Sequence, residues 1–196
     1  MRKMVLLFCC LISVVWGDTS DHGKKEMAIF AGGCFWCVQS DFDKVKGVES
    51  TVAGYTGGTK VDPTYEEVSA GGTGHVESVQ ITFDPSRVSY EQLLDVYFHN
   101  VDPTRNDGQF CDTGEQYRPV IFYLNTAQKD AATKYKKQLV ADGRFQKVLV
   151  EILPAKTFYP AEEYHQAYYE KNPVRYKFYR TTCGRDKRLK ELWNQS

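Results

Sequence analysis

Short strand-like segments and amphipathic helix-like segments alternate along most of this 196-residue chain, and this alternation constrains the fold more than any other feature. Val79, Ile81 and Phe83 alternate with polar residues, which predicts a half-buried strand. Ser89 and Gln92 have the spacing of a capping box, which predicts the start of a helix. Because such segments interleave without an internal repeat, we expect one α/β domain with a mixed sheet.

The same reasoning covers the rest of the chain. Further strands are predicted at 27–30, 48–55, 120–124 and 148–153, and further helices at 35–45, at 127–141 and after Pro160. Two glycine-rich segments, 60–74 and 102–116, predict long loops, which in compact domains are often functional. From Pro173 onward the sequence is mostly polar and predicts an extended tail that wraps the domain.

The N-terminal segment has the pattern of a secretory signal peptide. A basic start precedes an apolar run over 4–16, and small residues follow near Gly17. An uncleaved anchor is the alternative, but the run is shorter than the ~20 residues that span a bilayer. A lipoprotein site at Cys9 or Cys10 would need small residues that do not precede either cysteine. We therefore expect an exported protein, periplasmic or secreted, without stable membrane association after cleavage.

The balance of charges bears on the kind of partner, and the N-terminal pattern sets the domain boundaries. Lysine plus arginine equals aspartate plus glutamate at 25 each, so the sequence carries no electrostatic footprint for nucleic acid. We expect a signal peptide over 1–17, a linker over 18–25 and one domain over 26–196.

Cleavage would leave four cysteines, and their number and spacing favour a functional role. They are Cys34, Cys37, Cys111 and Cys183. Four cysteines are few for a disulfide scaffold in a chain of this length, and the Cys34-Phe35-Trp36-Cys37 spacing suits thiol–disulfide exchange.

Cys34 is the candidate nucleophile. It follows Gly32 and Gly33 at the end of a predicted strand and opens a predicted helix, where free N–H groups and the helix dipole would stabilise a thiolate. The alternative is a small buried core residue. Phe35 and Trp36 could wall a pocket beside it, although aromatic residues at a helix start usually belong to the core.

Glu77 lies an even number of residues before Val79, Ile81 and Phe83. In a strand it therefore points to the same face as they do, which the pattern predicts to be buried. Burial would raise the pKa of the carboxyl and keep it protonated, as a general acid or a donor to a substrate oxygen. If the strand began only at Val79, Glu77 would instead lie on an exposed end.

Other candidates lie in or near the two long loops, where phenols and a carboxylate could converge on a polar group of a ligand. They are Tyr65, Tyr117 and Asp112. The histidines match no metal-binding pattern, and His165 fits a packing role. We expect neither a metal nor an organic cofactor.

Several ordered motifs resemble the peptide-methionine (S)-sulfoxide reductase family, commonly called MsrA. The matching segments are Gly33-Cys34-Phe35-Trp36, Gly54-Tyr55-Thr56-Gly57-Gly58, Pro63-Thr64-Tyr65, Gly74-His75-Val76-Glu77, Gln116-Tyr117-Arg118-Pro119, the run from Tyr159 to Gln166, and Gly184-Arg185-Asp186. The resemblance covers nearly all of the chain after the predicted signal peptide.

This resemblance implies a fold and a reaction. The fold would be a two-layer α/β sandwich with a ferredoxin-like core. Cys34 would attack the sulfur of methionine-S-sulfoxide and become a sulfenic acid, while Tyr65, Glu77 and Tyr117 hold and activate the oxygen. Phe35 and Trp36 would cage the methyl group, and Asp112 would be an acidic pocket residue.

The resemblance also implies substrates and partners. Oxidised proteins, peptides or free methionine sulfoxide would be repaired after oxidative stress, and a thioredoxin-like dithiol would reduce the resulting disulfide. Two cysteines could form that disulfide with Cys34. We rank Cys183 first, because a flexible tail could deliver its sulfur, and Cys37 second. Cys111 has no role implied by the resemblance, so we expect it to be structural or incidental.

Two other classes of protein fit parts of the pattern. A dithiol–disulfide oxidoreductase would use the spacing of Cys34 and Cys37 but would have no need of Glu77. A zinc-binding module has enough cysteines, but Cys111 and Cys183 lack the close spacing of a ligand pair.

Overall fold

A computed structural model describes residues 24–193, so the predicted signal peptide lies outside the described residues. The strands are β1 (Glu26–Ala31), β2 (Val48–Thr56), β3 (Val76–Phe83), β4 (Gly108–Gln109), β5 (Asp112–Thr113), β6 (Val120–Tyr123), β7 (Glu151–Pro154) and β8 (Tyr159–Pro160). The helices are α1 (Phe35–Phe42), α2 (Tyr65–Ser69), α3 (Tyr90–His99), α4 (Thr126–Ala141), α5 (Tyr168–Lys171), α6 (Pro173–Thr182) and α7 (Arg185–Trp193).

Six of these strands form one mixed sheet in the order β7-β6-β1-β3-β2-β8. Strands β6 and β7 are parallel, and the other neighbours are antiparallel. The four central strands, connected through α1 and α3, follow the β-α-β-β-α-β path of a ferredoxin-like core. The predicted α/β class, mixed sheet and ferredoxin-like core are confirmed.

Helices α1, α3 and α4 cover one face of the sheet. Phe30 and Ile81 point to this face and are fully buried, together with Leu93 and Leu94 of α3. A smaller apolar cluster that includes Ile29 lies on the opposite face of β1, as strand alternation requires. Helix α3 begins with the predicted capping box, in which Ser89 accepts from the Gln92 backbone N–H.

The C-terminal region is helical, which differs from the extended, weakly packed tail that its polar composition predicts. Helices α6 and α7 occupy most of it. Its few buried side chains are large ones that contact the body of the protein, namely Tyr176 and Arg185. Tyr176 packs on Cys37 together with Tyr168 of α5. Composition missed this because aromatic rings and a buried guanidinium, rather than aliphatic residues, hold these helices in place.

Among residues 24–193, no helix is both long enough and apolar enough to cross a membrane.

Candidate active site

A tight turn joins β1 to α1 and presents Cys34 at the helix start. Gly33 has φ of +83°, and a Cβ on it would lie 2.7 Å from Cβ of Gln109, so the turn needs glycine. Cys34 is the N-cap residue of α1, and its carbonyl accepts from the backbone N–H of Cys37 at 3.1 Å. The side chain of Cys34 is nearly buried, with 7% of its residue surface exposed.

Cys34 and Cys37 are free thiols three residues apart in the chain, and each shifts the pKa of the other. Burial raises the pKa of the Cys34 thiol well above its usual value, and the nearby acidic groups add to this rise. Cys34, together with the charges of Arg185 and Arg180, lowers the pKa of Cys37 to about 7, although burial acts in the opposite direction. Cys37 therefore loses its proton more readily than Cys34.

The pKa of Cys34 is raised although the residue lies at a helix start. This differs from the sequence-based expectation of a stabilised thiolate. Desolvation disfavours the anion, and the neighbouring Cys37, Glu77 and Asp112 raise the pKa of the Cys34 thiol further.

Glu77 lies inside the site, as its strand parity predicts. Only 2% of the residue is exposed, and its Oε2 accepts from the backbone N–H of Phe35 at 3.0 Å. Burial raises the pKa of this carboxyl to about 8, with Asp112 and Cys37 contributing in the same direction. Strand β3 begins at Val76, so the alternative in which Glu77 sits on an exposed strand end is wrong. A protonated carboxyl therefore adjoins the first turn of α1 at neutral pH.

Tyr65 and Tyr117 bring two half-buried phenols toward the same carboxyl. Burial, together with the nearby Glu77 and Cys34, raises the pKa of Tyr65 to about 12. Burial, Glu77 and Cys34 also raise the pKa of Tyr117, so both phenols are neutral donors at physiological pH. The structure thus brings Cys34, Glu77, Tyr65 and Tyr117 together.

Phe35 and Trp36 have different environments. Phe35 is 1% exposed and belongs to the core, with its ring centroid 5.0 Å from that of His165. Trp36 is half-buried and stacks on Tyr168 with ring centroids 3.8 Å apart. Its Nε1–H donates to Nδ1 of His165 at 3.0 Å. The indole is thus fixed in orientation and forms a wall beside the thiols.

Asp112 connects the site to helix α6. Its Oδ2 accepts from the Tyr179 hydroxyl at 2.6 Å, and its carboxyl raises the pKa of the Cys34 thiol. Burial raises the pKa of Asp112, while Tyr179 and Arg185 pull it down.

Cys183 is bonded to Cys111 rather than to Cys34. The two sulfurs form a disulfide across 72 residues of sequence. The sequence-based assignment of Cys111 as structural or incidental leaves out this partner, because pairing among four cysteines cannot be deduced from sequence. The resolving role ranked first for Cys183 stays a prediction.

Several neighbours of the site were not singled out as site residues from sequence. Glu162 accepts from the Tyr55 hydroxyl at 2.9 Å and from the Tyr65 backbone N–H at 2.8 Å, which fixes helix α2 against the sheet. Arg185 donates to the carbonyl of Gly32 at 3.1 Å. Both residues belong to motifs quoted for the family resemblance, and that membership is the signal that could have identified them.

One group of three potential metal ligands occurs among the described residues, formed by Cys111, Asp112 and Cys183. Two of its ligand atoms are the sulfurs of the disulfide, which cannot act as thiolates while bonded to each other.

Comparisons with known proteins agree with this geometry. The family model described as peptide methionine sulfoxide reductase matches residues 26–196. Peptide methionine sulfoxide reductase MsrA of Listeria monocytogenes is 53% identical over 169 residues, which are 86% of this chain and 96% of that protein. The MsrA/MsrB protein of Vibrio cholerae is 50% identical over 175 residues, and the match spans 89% of this chain but 46% of that protein.

Solved structures share the fold. Reduced Mxr1 from Saccharomyces cerevisiae superimposes with a TM-score of 0.72 at 31% identity, covering 76% of this chain and 87% of that one. Mxr1 has also been solved in complex with Trx2.

Proposed function

The chain belongs to the peptide methionine sulfoxide reductase family and is an oxidoreductase of that class, and we propose that it reduces the S epimer through a sulfenic acid at Cys34. The observation that carries this proposal is the buried carboxyl of Glu77, held against the turn that presents Cys34. A simple dithiol–disulfide exchange would have no use for such a group.

Glu77 supports the proposal through its protonation state. With a pKa of about 8, the carboxyl is mostly protonated at neutral pH. It then donates a hydrogen bond to the sulfoxide oxygen as negative charge develops there. The neutral phenols of Tyr65 and Tyr117 supply further donors to the same oxygen.

The first step transfers the oxygen. The sulfur of Cys34 attacks the sulfoxide sulfur, methionine leaves, and Cys34 keeps the oxygen as a sulfenic acid. The thiol is oxidised by two electrons and the sulfoxide is reduced by two. Trp36, fixed by His165 and Tyr168, forms with Phe35 an apolar wall for the substrate methyl group. Asp112 forms a polar side of the pocket.

The second step forms a disulfide, and in this state Cys37 is the thiol in place for it. Cys37 lies in the first turn of α1 and shifts the pKa of Cys34, whereas the sulfur of Cys183 is bonded to Cys111. Condensation of Cys37 with the sulfenic acid releases water and leaves a Cys34–Cys37 disulfide. This reverses our sequence-based ranking for the enzyme in which the Cys111–Cys183 bond is intact.

The substrates and the cellular setting extend the proposal. We propose that oxidised proteins, peptides and free methionine sulfoxide are substrates, that a thioredoxin-like dithiol restores the thiols, and that the enzyme is exported after cleavage near Gly17. The apolar run over 4–16 supports export, and the complex of yeast Mxr1 with Trx2 supports the reductant class. N-terminal sequencing of the mature protein tests the cleavage.

Product analysis with dithiothreitol tests the proposed function. Methionine should form from peptide-bound methionine-S-sulfoxide, and the R epimer serves as the matched control that should remain unreduced. Cys34→Ser should lose turnover because a hydroxyl is too weak a nucleophile here. Near wild-type activity of a folded Cys34→Ser protein, or equal reduction of both epimers, would contradict the proposal.

A further inference from the structure

The structure contains two cysteine pairs in opposite redox states, and only one pair is accessible. The inner pair, Cys34 and Cys37, consists of free thiols with 7% and 2% of their residue surfaces exposed. The outer pair is a disulfide in which Cys111 is exposed and Cys183 is half-buried. A pocket of about 350 Å³, lined by Cys183, Phe110 and Gly184 among others, opens beside the outer pair.

The two pairs are close neighbours in the fold. Asp112 follows Cys111 in the chain, and its carboxyl is near enough to Cys34 to raise the pKa of that thiol. Tyr179 donates to that carboxyl at 2.6 Å, and its hydroxyl lies 4.0 Å from the sulfur of Cys183. A single carboxylate and a single phenol therefore connect the outer disulfide with the inner thiols.

We propose, on the basis of the function proposed above, that Cys111 and Cys183 are a second catalytic pair through which electrons enter the enzyme. A dithiol reductant reduces the exposed outer disulfide, and the outer thiols then reduce the buried Cys34–Cys37 disulfide. This assigns Cys111 as the terminal redox cysteine and Cys183 as the carrier between the two pairs.

The exchange balances as two thiol–disulfide steps. First, the Cys183 thiolate attacks the Cys34 sulfur, the Cys34–Cys37 bond breaks, and Cys37 leaves as a thiolate. Next, the Cys111 thiolate attacks the Cys183 sulfur, and Cys34 leaves as a thiolate that takes up a proton. Two electrons pass inward, and the products are two inner thiols and one outer disulfide. That product state is the state of the structure.

Acid–base chemistry and chain geometry favour this direction of attack. A disulfide breaks faster when the departing thiol has the lower pKa, and Cys37 has the lower pKa of the inner pair. Cys183 must move to reach Cys34, and it lies at the break between α6 and α7. Gly184 follows with φ of +73° and with no atom within 4 Å of a Cβ position, so this break has free space around it.

The number of methionine molecules formed per enzyme without reductant tests the proposal. Fully reduced enzyme, freed of reductant and given excess methionine-S-sulfoxide peptide, should release two methionines, one for each cysteine pair. The same enzyme with the outer disulfide intact should release one. Peptide mapping of quenched samples should show the Cys34–Cys37 bond first and the Cys111–Cys183 bond after it. A yield of one from fully reduced enzyme overturns the proposal.

A variant and a trapping experiment complete the test. The double variant Cys111→Ser/Cys183→Ser should release one methionine, and a yield of two from it also overturns the proposal. Thioredoxin that lacks its second active-site cysteine should be trapped on Cys111 or Cys183, whereas trapping on Cys34 or Cys37 contradicts electron entry at the outer pair. Failure of the proposed function itself is distinguishable, because no methionine would then form even with dithiothreitol.

Discussion

Cys34 and Glu77 illustrate how burial controls chemistry at the scale of single residues. Burial raises the pKa of both groups, and the carboxyl of Glu77 raises that of the Cys34 thiol further. The position of Glu77 could be predicted from sequence because strand parity fixes which face a side chain occupies. The ionisation of Cys34 could not be predicted from sequence. It depends on Cys37 in the first turn of α1 and on Asp112, which lies far from Cys34 in the chain.

Glu77→Gln should slow the reductase step and abolish the fall in its rate at high pH. In the proposed mechanism the protonated carboxyl is the donor. In the wild-type enzyme that donor would be lost as pH rises through about 8, and the single-turnover rate should fall above that pH. Glutamine still donates one hydrogen bond but cannot ionise, so we expect a loss of about 10²-fold and no such fall. Rapid-quench measurement of methionine from pH 6 to about pH 10 checks both effects.

Glu91→Gln is the matched control for this substitution. Glu91 is exposed in the first turn of α3, outside the site, and its replacement should leave the rate and the pH profile unchanged. If the Glu77→Gln protein retains the same alkaline fall as the wild type, another group is responsible for it and Glu77 is not the acid.

At the scale of elements, local patterns predicted the central strands and helix α3 well but not the irregular segments. The predicted strand over 148–153 begins only at Glu151. Pro160 ends β8, and a short 3₁₀ turn over Glu163–His165 follows it instead of the predicted helix. Helix α2 lies within a segment predicted to be a loop, because its own capping box and the bonds from Glu162 stabilise five residues. Such short elements depend on tertiary contacts that no local pattern contains.

The turn between β1 and α1 provides a prediction at this scale. Gly33→Ala should destabilise the fold by roughly 2–4 kcal/mol and slow the reductase step, because the positive φ is unfavourable for alanine and its Cβ would meet Gln109. Gly71 has a similar φ of +82° with no atom within 4 Å of a Cβ position, so Gly71→Ala should cost only about 1 kcal/mol. Urea unfolding and single-turnover rates measure both. Equal losses in the two variants would show that contact with Gln109 does not matter.

At the scale of the whole molecule, the outer disulfide joins the loop after β4 to the end of α6. It closes a segment of 72 residues that includes β6, α4 and β7. Linking positions so distant in sequence restricts the unfolded chain and therefore stabilises the folded state. The family resemblance implied the core and the reaction, but it did not imply this bond.

Reduction of the outer disulfide should lower the free energy of unfolding by about 2–4 kcal/mol. Urea unfolding of wild-type enzyme with and without a phosphine reductant checks this value. The Cys111→Ser/Cys183→Ser variant should unfold near the reduced wild type and should not respond to the reductant. An unchanged midpoint on reduction of the wild type would show that helices α6 and α7 are held by their packing alone.

The same bond makes the enzyme tolerant of a cut in its backbone. The turn after α4, at Asp142, Gly143 and Arg144, is exposed and lies within the segment that the disulfide closes. Cleavage there by a protease would leave two fragments joined through Cys111 and Cys183. Cys34 and Glu77 would remain on one fragment and Arg185 on the other, so an oxidised enzyme nicked at this turn keeps both parts of its site in a single covalent molecule.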